Sequence, residues 1–132
     1  MYVAGLRDPS NDHGVIEVQE PGGSFTDITP VGSELFLPGA AGDFIGAYQA
    51  TSASDPAITY AIFHRTAPGS WTRVWNSASL TPTTANAPDT ACSSSIPRIG
   101  DYTSLATGGS GVWAAWTDTS TGRRSIDVVH LP

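Results

Sequence analysis

Lysine is absent. All six cations are arginines, and against twelve acids they leave a net charge of −6. A nonspecific nucleic-acid surface needs clustered positive charge, and an anionic membrane attracts the same, so neither is expected as a partner. There is one cysteine, Cys92, which excludes an intrachain disulfide; in a secreted protein such a residue pairs with another chain or stays a thiol. Charged residues make up only 14% of the chain, and no apolar run approaches the ~18–20 residues that span a bilayer. No charged-then-apolar leader opens the sequence, so it reads as a soluble mature chain, a cytosolic one, or a piece of something longer. His13, His64 and His130 are scattered without zinc spacing, and no Cys-x-x-Cys is present. Gly108-Gly109-Ser110-Gly111 does not make a Gly-x-Ser-x-Gly elbow. No phosphate loop or EF-hand spacing occurs. No metal and no cofactor are expected.

What is abundant points one way. Fourteen glycines, ten prolines and many Ser and Thr accompany four Trp, four Tyr and four Phe in 132 residues. Many short strands joined by turns suit that mixture, a helical bundle does not, and the length allows one domain with a modest core. The expected class is all-β.

The chain also repeats itself. Tyr2 to Asp8 and then Val15 to Val18 return 110 residues later as Val112 to Asp118 and Ser125 to Val128, with Ala4, Asp8, Ile16 and Val18 recurring as Ala114, Asp118, Ile126 and Val128. A weaker copy runs from Ile58 to His64, offset from the others by 56 and 54 residues. Strand-length repeats of this kind mark a repetitive β-architecture. Period-2 alternation puts Val112, Ala114 and Trp116 on one side of a strand and Trp113, Ala115 and Thr117 on the other. Glycine and proline in Pro21-Gly22-Gly23, Ala67-Pro68-Gly69, Thr107 to Gly111 and Thr119 to Gly122 supply the turns. Strands so closely spaced pair as antiparallel hairpins.

A second echo, Gly42-Asp43-Phe44 against Gly100-Asp101-Tyr102, suggests a unit whose first strand opens on Gly-Asp-aromatic. Its fourth strand falls at Phe25 to Val31 in one copy and Trp75 to Leu80 in another. This phase makes residues 1–33 an incomplete unit, 34–97 a complete one and 98–132 a second incomplete one. The polar stretch Thr81 to Ile96 is long for a loop in a compact domain; such loops are usually functional or disordered.

Four-stranded units with an aromatic second strand ending in Asp look like β-propeller blades. Gly100 to Ala106 leading to Val112 to Asp118 resembles, more narrowly, the terminal blades of bacterial sialidase-like propellers. Those proteins often carry an Asp box, Ser-x-Asp-x-Gly-x-x-Trp, between the third and fourth strands. Val18 to Phe25 fits that frame, with Glu20 for the Asp and Phe25 for the Trp, and Gly69-Ser70-Trp71 is a shorter remnant. The resemblance implies four-stranded antiparallel blades of a β-propeller, about two and a half in this chain, where a closed ring needs at least about four. It also implies an extracellular setting and association with copies of itself or with another chain that supplies the remaining blades.

A sialidase-like active site needs three arginines, a Tyr-Glu nucleophile pair and an Asp acid/base drawn from several blades. No arginine here stands in the family's Arg-Ile-Pro context; Ile96-Pro97-Arg98 has a different order. No catalytic residues are therefore assigned. The expected role is a non-catalytic module for glycan or protein binding, the alternative a subunit or fragment of a sialidase-like glycoside hydrolase. Candidate binding residues are Arg98, Asp101 and Tyr102 near a central tunnel, Asp43 at the equivalent step, and Trp113 as a ring able to stack on a sugar. Against these stand bland roles: Arg98 paired with a loop carboxylate, and Asp43 and Asp101 satisfying backbone donors in turns. The tryptophans, by the same reasoning, pack between sheets.

Overall fold

A computed structural model describes residues 15–50, 58–80, 103–118, 120–121 and 125–132. Arg98, Asp101, Tyr102, the 81–96 stretch with Cys92, and the first repeat copy at 2–8 lie outside the described residues. Those described form strands and turns only: β1 (Glu17–Gln19), β2 (Phe25–Asp27), β3 (Glu34–Ala41), β4 (Phe44–Ala50), β5 (Ile58–Ala67), β6 (Ser70–Asn76), β7 (Ser104–Gly108), β8 (Gly111–Asp118) and β9 (Ser125–Leu131). The all-β, antiparallel expectation holds. The strands make three sheets of sequential order, β1-β2, β3-β4-β5-β6 and β7-β8-β9.

Turn chemistry explains the connections. Ala41 pairs with Phe44 across Gly42-Asp43, and Gly108 pairs with Gly111 across Gly109-Ser110. The first loop residues, Gly42 and Gly109, take φ of +56° and +57°, the left-handed value that two-residue hairpins require and that glycine adopts freely. Pro68-Gly69 closes β5–β6, again with positive φ at the glycine. In the β1–β2 loop the Gly23 N–H donates to the Glu20 carbonyl at 2.9 Å around Pro21-Gly22.

The three sheets stack face to face. One face of the middle sheet presents Tyr48, Tyr60 and Ile62, which pack against Val112, Ala114 and Trp116 of β8. Its other face presents Leu35, Ile45, Ala47, Ala61 and Phe63 to Ile16 and Val18 of the first sheet. Tyr60, Ala61, Ile62 and Phe63 are consequently all buried, two toward each neighbour, as strict alternation demands of a strand covered on both faces. Tyr60 and Trp116 stack with centroids 5.3 Å apart and planes at 4°, and Trp75 closes on Trp116 at 5.2 Å. The Tyr48 hydroxyl accepts from the Thr117 N–H at 3.0 Å and lies 3.3 Å from the Thr117 carbonyl, to which it donates. A β-bulge between Phe36 and Gly39 holds Leu37 at a φ of 51°, and the Leu37 carbonyl accepts from Thr103 Oγ1 at 3.1 Å. Gly46 lies directly under this interface; a Cβ there would collide with the Tyr60 hydroxyl and the Leu105 side chain.

Three sequence expectations need correction. Ile58 to His64 is not a copy of Val112 to Asp118 in position. The matching two-residue turns make β7-β8-β9 a repeat of β3-β4-β5, so β8 corresponds to β4 and Ile58–Ala67 is a third strand. Facing agrees, because Ala47 and Ala114 each point to the preceding sheet while Tyr60 points to the following one. Gly42-Asp43-Phe44 is likewise the turn into a second strand, not the opening of a first. The true first strand, β3, escapes a periodicity reading because Pro38, Gly39 and the bulge break its alternation. The fourth strand, Ser70–Asn76, begins five residues before the Trp75 to Leu80 stretch expected for it and overlaps it only at Trp75 and Asn76. Ser77 and Leu80 nevertheless continue to donate to β5, at the carbonyls of Tyr60 and Ile58.

Candidate functional site

Because β3–β4 and β7–β8 are equivalent hairpins on adjacent sheets, their tips lie side by side. Between them is an open cleft of about 440 Å³ lined by Gly42, Asp43, Phe44, His64, Thr107 and the glycines of the β7–β8 turn. Phe44 and His64 are direct cross-strand partners, and their rings stack at 4.4 Å and 17°. The Asp43 side chain is 55% exposed, with Oδ1 3.8 Å from an Arg65 guanidinium nitrogen. The Asp43 carbonyl accepts from the Arg65 N–H at 2.9 Å, which ties the turn to β5. Bare glycine backbone forms the opposite wall. The cleft therefore offers a carboxylate acceptor, an aromatic pair and unshielded peptide groups within one open depression.

Arg65 is oriented from behind. Its Nε and Nη2 donate to the two oxygens of Glu20 at 2.7 and 2.9 Å, and the Gly69 N–H donates to Glu20 Oε1 at 2.8 Å. Three donors on one carboxylate, the Arg65 side chain foremost, hold the Glu20 carboxyl down to about 2 from an ordinary 4.5. Glu20 is the residue standing in the Asp position of the Asp-box-like frame, and it joins the β1–β2 loop to the β5–β6 turn. A bidentate Arg–carboxylate pair fixes geometry as well as charge.

Of the candidates named from sequence, Asp43 lines this cleft. Trp113 does not. It is half exposed on the outer side of the third sheet, stacked on His130 at 4.3 Å. Trp75 and Trp116 belong to the core between middle and third sheets, and Trp71 to that between first and middle. His64 and Arg65 are not among those candidates. Phe44 and His64 carried no signal because their pairing depends on the register between two strands, and Arg65 meets Glu20 across 45 positions of sequence. Among the described residues no three of His, Cys, Asp or Glu converge as metal ligands. No protein-family model, curated protein or solved structure matches the chain.

Proposed function

We propose that this chain is a non-catalytic module of β-propeller type that binds a glycan in the hairpin-tip cleft and acts as part of a larger assembly. The observation that carries the ligand reading is the cleft itself. A polyhydroxylated ring needs acceptors for its hydroxyls and an apolar surface for its C–H face, and Asp43 lies there beside the Phe44–His64 stack. The glycine wall lets a ligand approach the backbone closely. Support for the blade reading comes from sequential antiparallel sheets stacked face to face, with the β3-β4-β5 arrangement recurring in β7-β8-β9. In this reading the first sheet supplies the outer part of one blade, the middle sheet a whole blade, and the third sheet the inner three strands of another.

The test is an amide chemical-shift titration with oligosaccharides selected on a glycan array. Binding should move the resonances of Gly108, Gly109 and Gly111. Asp43→Ala should weaken it by about 10- to 100-fold, the value of one hydrogen bond to a charged acceptor. Absence of any glycan ligand, or shifts confined to other surfaces, overturns the reading. Turnover of a fluorogenic sialoside would favour the glycoside-hydrolase alternative.

A further inference from the structure

Among the described residues, the outer face of the third sheet is largely apolar and carries no carboxylate. Cross-strand register places Trp113 beside His130, Ala115 beside Val128 and Thr117 beside Ile126 on that side, with Ala106 of β7 next to Trp113. Trp113, Ile126 and Val128 are 50%, 68% and 59% exposed. In a chain with twelve acids, the described residues on this face include no Asp, Glu or Arg.

The fold itself indicates what such a face receives. Since β7-β8-β9 repeats β3-β4-β5, Ala115 stands where Tyr48 stands, and Val128 and His130 where Tyr60 and Ile62 stand. In the middle sheet those positions are covered by the next sheet in the stack. The face is thus built for another sheet presenting the opposite side. Such a side exists at the other end of the stack. Val18 and Thr26 of the first sheet point toward the middle sheet, so the alternate residues Glu17, Gln19, Phe25 and Asp27 point away from it, with Phe25 51% exposed. Glu17 and Asp27 are direct cross-strand partners. His130 on the third sheet brings an imidazole whose ring N–H is able to donate to a carboxylate.

We propose that the third sheet's outer face binds the first sheet's outer face of a second copy, head to tail, continuing between molecules the stacking that runs within one. This rests on the assembly part of the reading above and is independent of the glycan site. An interface of this kind is heterologous: it closes into a ring when the rotation permits and otherwise propagates.

Complementary blocking tests it. Light scattering across a concentration series should show species above 13.7 kDa. Val128→Glu blocks one face and Phe25→Glu the other; each variant alone should return to monomer mass with unchanged circular dichroism and melting. Mixed, the two should form a 1:1 heterodimer, since one unblocked face of each kind remains. Ile126→Glu, also at an exposed position, should replace Val128→Glu without changing the outcome. A wild-type monomer at all concentrations overturns the proposal, as does a Phe25→Glu chain that still dimerises, which would mean a face pairing with itself. Glycan titration of the monomeric variants separates the two readings, because loss of association with retained glycan shifts leaves the cleft assignment standing.

Discussion

Replacing Trp116 with alanine is expected to destabilise the chain by about 3–5 kcal/mol. The ring is 5% exposed and lies between Tyr60 and Trp75 at 5.3 and 5.2 Å. Burying an aromatic of about 200 Å² at ~25 cal/mol per Å² contributes about 5 kcal/mol, an upper bound because the unfolded chain already hides some of that area. The cavity cannot collapse easily, since Tyr48, Tyr60 and Val112 around it are buried in sheets on both sides. One feature works the other way. Among the described residues, the Trp116 Nε1–H has no hydrogen-bond partner, and an unmet buried donor costs about 1–3 kcal/mol. Trp116→Phe, which keeps a ring and removes the donor, should therefore cost less than half as much as the alanine change. Urea unfolding followed by far-ultraviolet circular dichroism measures both, with the slope expected to stay constant. A loss under ~1 kcal/mol for Trp116→Ala would mean that the middle and third sheets do not share this core, and the stacked arrangement would have to be abandoned.

Three further outcomes follow from single contacts. Gly46→Ala should cost about 1–3 kcal/mol by overpacking under Tyr60 and Leu105; combined with Tyr60→Phe, which removes the colliding hydroxyl, the loss should be markedly less than additive in a denaturant double-mutant cycle. Tyr48→Phe removes the hydroxyl bonded to both backbone groups of Thr117; about 1–3 kcal/mol should be lost, with faster hydrogen exchange at the Thr117 amide. Because the Glu20 carboxyl is held down to about 2 in the folded chain from an ordinary 4.5, its contribution is complete above pH ~4.5 and disappears as the pH falls toward ~2. Glu20→Gln should accordingly flatten the acid limb of the stability–pH curve over that window, and a wild-type-like limb in the variant would show that the Arg65–Glu20–Gly69 contact is not formed in solution.

Local chemistry was enough to determine the class of structure from the sequence. Glycines in Pro68-Gly69 and Gly109-Ser110 favour tight hairpins wherever strands flank them, and Val112, Ala114 and Trp116 share a face because a strand has period two whatever surrounds it. Antiparallel order followed from short connections. Which place a strand takes within its sheet was not legible in the same way. Ile58 to His64 and Val112 to Asp118 have the same alternation, and only the pairing of each with its neighbours makes one a third strand and the other a second. Parity likewise sets Trp113 opposite Trp116 but does not say which of them is covered; the stacking of the middle sheet against β8 decided that. The cleft and the Arg65–Glu20 pair arise where hairpin tips from different sheets come together. Contacts between residues tens of positions apart leave no periodic trace in a sequence, so tertiary packing alone put Asp43, Phe44 and His64 beside the glycine turn at 107–111.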